Sequence, residues 1–237
     1  MDLEQAREWL AAATAVAVLT GAGISAESGI PTFRGAGGLW KEYKPEDLAT
    51  PEAFARDPRL VWEWYNWRRE QIAQAVPNAA HRALVELEKR KPRFTLITQN
   101  VDGLHDLAGS GKILKLHGDI WRMRCTQCGA NFPNRRVPLP KIPPHCACGG
   151  LARPGVVWFG EPLPDGMMQE AEHATASAQV FLVIGTSATV YPAANLIPHA
   201  KESGARVIEI NPEPGPLGAL ADGVFQGPAG EWLPRLL

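Results

Sequence analysis

The chain has 237 residues, with 24 Lys and Arg against 25 Asp and Glu, and a formal net charge of -1, so no single-sign field exists to clamp nucleic acid or an anionic membrane. Hydrophobic residues make up 45% and charged residues 21%, which excludes disorder as the dominant state. The longest nearly apolar run, Leu10 to Leu19, is shorter than the roughly 18 residues a membrane-spanning helix needs, and Met1-Asp2-Leu3-Glu4-Gln5 has neither the basic patch nor the apolar stretch of a secretion signal. A cytoplasmic address is expected, with no membrane partner and no direct nucleic-acid binding.

In chain order, residues 2–13 read as a short helix and Ala15-Val16-Ala17-Val18-Leu19 as a buried strand running into Gly21-Ala22-Gly23. Residues 31–76 carry too much Trp, Arg and Pro for a simple crossover and read as a helical insert. Helical stretches follow at 78–90, 165–177 and 192–203. Short apolar runs bounded by turn residues mark strands at Phe94–Thr98, Ile113–Leu116, Val180–Ile184 and Arg206–Ile210. Strands rich in Val, Ile and Leu that alternate with helices predict an α/β protein with a doubly wound, Rossmann-like parallel sheet. Residues 119–155 break the alternation: they hold all four cysteines and six of the 21 prolines. The expected division is a nucleotide-binding domain of residues 1–30, 77–118 and 156–237, and a smaller helical and zinc-ribbon domain of residues 31–76 and 119–155.

Cys125-x₂-Cys128 and, seventeen residues on, Cys146-x-Cys148 lie within one 24-residue window. Two thiol pairs at this spacing suit a structural Zn²⁺ site, since four thiolates close the coordination sphere and leave no position for a catalytic water. The second pair is one residue shorter than the common C-x₂-C, so His145 stands as an alternative ligand.

Gly21-Ala22-Gly23-Ile24-Ser25-Ala26 fits G-x-G-x-x-G/A after a strand, where glycines permit a tight turn and let backbone N–H groups approach a pyrophosphate. A ligand-free turn carries the same pattern. Glu27-Ser28-Gly29-Ile30-Pro31 cuts the following helix short, and no second strand delivers an acidic residue about 20 positions later; Glu42 has the spacing but sits in a Trp/Lys-rich loop. An ordinary nicotinamide dehydrogenase is therefore the weaker reading of the loop. A zinc-ribbon adaptor using Arg122, Arg124, Arg135 and Arg136 is another alternative, without support from the near-zero net charge.

The segment Gly21–Gly35, together with Thr98-Gln99-Asn100-Val101-Asp102-Gly103-Leu104-His105, Leu116-His117-Gly118, Val156–Glu161, Gly185-Thr186-Ser187 and Ile210-Asn211, resembles the sirtuins, NAD-dependent protein-lysine deacylases, block by block and in order. The resemblance implies removal of an acyl group from lysine with consumption of NAD, releasing nicotinamide and O-acyl-ADP-ribose, with acylated-lysine proteins as partners. It assigns His117 as the general base, a role that a neutral imidazole suits near pH 7. It places Gly21, Ala22, Gly23, Ser25 and Ala26 in the phosphate-side loop, Phe33 and Arg34 in a segment closing over nicotinamide and ribose, and Gln99 on the nicotinamide ribose. Asn100 and Asp102 would line the nicotinamide pocket. Gly185, Thr186 and Ser187 would meet phosphate and the adenosine half, Asn211 and Glu213 the adenine ribose, and the Ala229 backbone the adenine.

Val156, Val157, Trp158 and Phe159 would pair with an extended peptide substrate by strand addition. Tyr65 and Arg68, spaced i,i+3, point to one side of a helix and together suit a carboxylate. The pair resembles the mark of class III sirtuins, which remove succinyl and other acidic acyl groups, and Ala49 stands where that class carries a small residue that widens the pocket. A plain deacetylase is the alternative, with Tyr65 in the core and Arg68 reaching outward.

Overall fold

Mostly apolar runs form strands buried on both faces, which requires helices on both sides of one sheet. The computed structural model describes residues 1–33, 38–39, 42–213, 215–216 and 218–237. Its strands are β1 (Ala15–Thr20), β2 (Arg93–Thr98), β3 (Ile113–Lys115), β4 (Gly118–Cys125), β5 (Asn131–Pro133), β6 (Ala152–Val156), β7 (Val180–Ile184), β8 (Arg206–Asn211) and β9 (Gly223–Gln226). The helices are α1 (Leu3–Ala12), α2 (Pro45–Leu48), α3 (Pro51–Arg56), α4 (Pro58–Gln74), α5 (Ala79–Arg90), α6 (Leu104–Ala108), α7 (Met167–Ala176), α8 (Leu196–Glu202) and α9 (Ala229–Leu236).

Six strands form a parallel sheet in the order β3-β2-β1-β7-β8-β9. All of β1 and β7 is buried, and alternate residues face opposite layers. Val16, Val18, Leu96 and Leu182 pack with Leu10 of α1, Leu84 and Leu87 of α5 and Leu233 of α9. Ala17, Leu19, Phe181 and Val183 pack with Ala171 of α7 and Leu196 and Ala200 of α8. The expected doubly wound sheet is present, with one strand, β9, and two helices, α6 and α9, beyond those the sequence marked. The helix expected over 192–203 is α-helical only from Leu196, with a 3₁₀ turn at Ala193–Asn195 before it.

The two segments that broke the alternation pack on each other. β5, β4 and β6 form a separate antiparallel sheet, and α4 lies against it. Asp57 caps α4 by accepting from Leu60 N at 2.9 Å, and Pro58 occupies its first turn, where a missing N–H costs nothing. The fully buried Trp62 donates its indole N–H to Ala152 O at 2.7 Å, and Arg69 Nη2 donates to both Asn134 O and Asn134 Oδ1. These bonds set the face of α4 that carries Tyr65 and Arg68.

Candidate active site

Chain order reverses between β2 and β7 on either side of β1, and in such sheets ligands bind in the crevice beyond the carboxyl ends of those strands. A cavity of about 1020 Å³ opens there, between the parallel sheet and the α4 layer. Gly21, Ala22, Gly23 and Ala26 line it from the end of β1, Gln99 and Asn100 from the end of β2, and Gly185, Thr186 and Ser187 from the end of β7.

The glycine loop has a different physical reason from the one its pattern suggests. Residues Ala22–Ser28 form a 3₁₀ helix ended by Gly29 at φ 84°. Gly21 N donates to Ile184 O at 3.0 Å and Gly23 N to Gly185 O at 2.8 Å, so the two glycine N–H groups are spent on β7 and its loop and are not free for a phosphate. The glycines are needed for close approach: a Cβ on Gly23 would lie 2.7 Å from Gly185 Cα, and one on Gly185, itself at φ +58°, would lie 2.4 Å from Ile24 N.

Polar side chains tie the strand ends together. Gln99 Nε2 donates to Thr186 Oγ1 at 2.9 Å, and Asn211 Nδ2 donates to Thr186 O at 2.8 Å. Asn211 and Glu213 both line the cavity. Glu209, a buried strand residue, accepts from Asn211 Nδ2 at 3.3 Å and from Gly215 N at 2.8 Å, and so holds the loop after β8. Its burial among apolar strand residues hid it in the sequence.

Ser25 and Asp102 stand one layer back from the cavity. Ser25 Oγ donates to Asp102 Oδ2 at 2.8 Å and accepts from Asn100 Nδ2 at 3.3 Å, while Asp102 Oδ1 accepts from Leu104 N at 2.8 Å. Burial raises the Asp102 carboxyl above its ordinary range, against the hydrogen bonds that lower it. This arrangement fixes Asn100, which does reach the cavity.

His117 follows β3 in the turn into β4 and lines the cavity. Its Nδ1 lies 3.0 Å from Gln99 O, and a carbonyl only accepts, so Nδ1 carries the proton and Nε2 keeps its lone pair. Burial lowers the imidazole from its ordinary value, and the bond to Gln99 only partly opposes that, so the ring is neutral near pH 7. An oriented, neutral imidazole at a cavity wall has the chemistry to accept a proton.

The opposite wall comes from Ala49, Tyr65 and Arg68 with Val156, Val157, Trp158 and Phe159. Trp158 Nε1 donates to Tyr65 Oη at 2.9 Å, which fills an acceptor site on the phenol and leaves its own proton to give. Burial pushes Tyr65 up to about 12, so it stays protonated. Arg68 is buried and stacks 4.5 Å from the Phe33 ring centroid and 5.0 Å from that of Trp64. Burial lowers its pKa, and among the described residues no ion pair or hydrogen bond meets its guanidinium.

The strand-addition expectation for Val156–Phe159 needs correction. Val157 N donates to His117 O at 2.9 Å, Trp158 N to Glu161 Oε2 at 2.8 Å and Phe159 N to Ala49 O at 3.0 Å. These N–H groups are engaged within the chain, so the segment forms a wall braced against His117 rather than an open ladder. Ala229 is buried beside the sheet and does not line the cavity, and Arg34 lies outside the described residues. Glu42 is exposed and does not line the cavity, where the dehydrogenase reading would need it. Trp64, Leu163, Met168 and Tyr191 also line the cavity; no motif marked them, because they come from loops and helix faces without a recognisable pattern.

The sequence profile of the Sir2 family matches residues 21–192. The chain belongs to the Sir2 family. A relative from Aquifex aeolicus named NAD-dependent protein deacylase is 57% identical over 222 residues, covering 93% of each chain. A solved Sir2 homologue in complex with NAD superposes at a TM-score of 0.93 with 49% identity, covering all of this chain and 92% of that one. A Sir2 variant solved with a deacetylated p53 peptide and 3′-O-acetyl ADP ribose gives 0.90 at 33% identity, covering 100% and 97%.

The four cysteines of this Sir2 chain meet at the end of β4. Cys125 Sγ lies 3.5 Å from Cys148 Sγ, Cys128 Sγ lies 3.8 Å from Cys146 Sγ, and all four sulfurs fall within 4.8 Å of one another. Zn–S bonds of about 2.3 Å at tetrahedral angles place sulfurs about 3.8 Å apart, so the thiols fit zinc. Backbone N–H groups of Cys128 and Gln127 point at Cys125 Sγ and help bring that thiol down to about 6, toward the thiolate a metal needs. His145 is not in the cluster, so the short second pair suits both remaining ligand positions. Among the described residues, no helix is long and apolar enough to cross a membrane.

Two further histidines are buried behind β2. The rings of His81 and His105 pack with centroids 4.8 Å apart, and burial holds them down to about 4 and about 3. The unfolded chain therefore binds more protons than the folded one below the ordinary histidine value near 6.5, and stability is lost from there downward, completely only near 3. The pair alone gives at most about 2.7 kcal/mol per pH unit, and the raised Asp102 carboxyl, which acts in the opposite sense, trims it. Denaturant titrations are expected to show stability falling by about 1–2.7 kcal/mol per unit from pH 6 to 4.5. A flat profile would show that the imidazoles are not held neutral.

Proposed function

We propose that this chain removes acyl groups from protein lysine at the expense of NAD, with a preference for succinyl and other acidic acyls. NAD, when bound, supplies a ribose carbon made electrophilic by nicotinamide departure, and an acceptor for the acyl group. The strand-end loops holding Gln99, Asn100, Thr186 and Asn211 suit its ribose and amide groups, and the cavity volume suits a dinucleotide beside an acyl-lysine. His117, with Nε2 free, would take the proton of a ribose hydroxyl. Four clustered thiols that suit zinc support a reducing, cytoplasmic setting.

The observation that carries the acyl preference is Arg68, a buried guanidinium on the cavity wall that meets no hydrogen-bond acceptor among the described residues, one helical turn from Tyr65. A neutral acetyl group leaves that charge unpaired, whereas a succinyl carboxylate offers it a charge-assisted partner. Arg68→Met is expected to cost desuccinylation about 2 kcal/mol or more, about 30-fold in kcat/KM, while deacetylation stays within a few-fold. Mass spectrometry of matched acetyl- and succinyl-lysine peptides incubated with NAD measures both. Equal loss in a folded variant makes the chain a plain deacetylase whose arginine is structural.

A further inference from the structure

The peptide group joining Gln99 to Asn100 is gripped from both ends. Its carbonyl accepts from His117 Nδ1 at 3.0 Å, and its N–H donates to Thr98 Oγ1 at 3.0 Å. Thr98 Oγ1 also accepts from Thr20 Oγ1 at 2.8 Å, and Thr20 Oγ1 lies 3.1 Å from His105 Nε2. All four of Thr20, Thr98, Asn100 and His105 are buried. Since Thr20 gives its single proton to Thr98, His105 must donate from Nε2, which leaves a bare lone pair at its buried, unpartnered Nδ1. That is the less costly way to leave a nitrogen without a partner, because no N–H is stranded.

We propose that His105, Thr20 and Thr98 form a positioning relay that orients the Gln99–Asn100 peptide and, through the Gln99 carbonyl, sets the tautomer of His117. None of the three is a catalytic residue: none lines the cavity. The rest of the backbone here is tied down so that this peptide is the part left to orient. Gln99 N donates to Thr20 O at 3.0 Å and Leu116 N to Thr98 O at 3.0 Å, which anchors the strand ends of β1, β2 and β3 around it. Without the Thr98 hydroxyl, the buried Asn100 N–H loses its acceptor, and rotation of the peptide to find another turns the Gln99 carbonyl away from His117.

The catalytic consequence rests on the deacylase reading, so the test includes a readout that does not. Thr98→Val removes the hydroxyl at nearly constant volume and Thr98→Ser restores it. In ¹⁵N-detected imidazole spectra of the whole protein, wild type and Thr98→Ser are expected to show His117 as the Nδ1–H tautomer, and Thr98→Val a mixture. With an acetyl-lysine peptide and NAD, kcat is expected to fall about 10- to 100-fold in Thr98→Val with peptide KM within about twofold, and to recover in Thr98→Ser. Thr20→Val breaks the same chain one link further away and serves if Thr98→Val fails to fold. A folded Val variant with the wild-type tautomer and kcat overturns the proposal, as does failure of both Val variants to fold, which would make the hydroxyls purely structural. A wild-type chain without NAD-dependent deacylation refutes the functional reading, while the spectra still decide the relay.

Discussion

Replacing His117 by Ala is expected to lower turnover of an acyl-lysine peptide about 10²- to 10⁴-fold, the usual contribution of a positioned general base. The ring lines the cavity and its Nδ1–H is spent on Gln99 O, which leaves Nε2 as the nitrogen able to take a proton, and an alanine removes it. Departure of nicotinamide needs positioning and no base, so peptide-dependent exchange of labelled nicotinamide into NAD is expected to survive far better than turnover. The pH profile has a definite sign. The imidazole acts only when neutral, and its pKa lies below the ordinary 6.5, so kcat/KM is level above that value and falls as pH drops through the lowered one. Loss of exchange and turnover in equal measure, in a folded His117→Ala, would place the residue in binding instead.

Removing any one of Cys125, Cys128, Cys146 and Cys148 is expected to abolish the bound metal, about one zinc per chain by elemental analysis, together with most of the folded yield. The β4–β5–β6 sheet is too small to hold itself together by apolar burial, and apparent zinc affinities of about 10–16 kcal/mol are comparable with the whole stability of a domain. The damage would travel. β6 runs from the cluster to Val156, and the next residue donates its N–H to His117 O, so loosening the module loosens the turn that carries His117. Activity and fold should therefore be lost together on chelation, as followed by circular dichroism and turnover on one sample. A cysteine variant that keeps metal and fold but loses turnover would show that the cluster takes part in the chemistry.

Much of the site was legible because its signals are local. Strands β1, β2, β7 and β8 announce themselves by short, mostly apolar runs, since a sheet covered on both faces needs apolar residues on both; Thr95 and Glu209 are the polar interruptions. Tyr65 and Arg68 share a helix face because three residues nearly complete a turn. β9 is four residues with alternate burial and α9 carries Pro234, so neither offers the length or the clean pattern that marks an element. The role of the glycines stayed open between a phosphate site and a ligand-free turn for a related reason. Their spacing is the same whether they face a phosphate or Gly185, and only the neighbouring loop distinguishes the two.

Composition, periodicity and spacing thus determined the parallel sheet and the two thiol pairs, because each depends on side chains a few positions apart, whereas His117 was marked only by the resemblance of its flanking blocks to the sirtuins. Tertiary structure decided what those residues are worth. The Trp158 bond that leaves Tyr65 with a proton to give spans 93 positions, that between Ser25 and Asp102 spans 77, and the carbonyl that chooses the His117 tautomer comes from the loop after β2. Protonation state, tautomer and the burial of Arg68 are properties of an environment, and that environment exists only once distant segments have excluded water from around them.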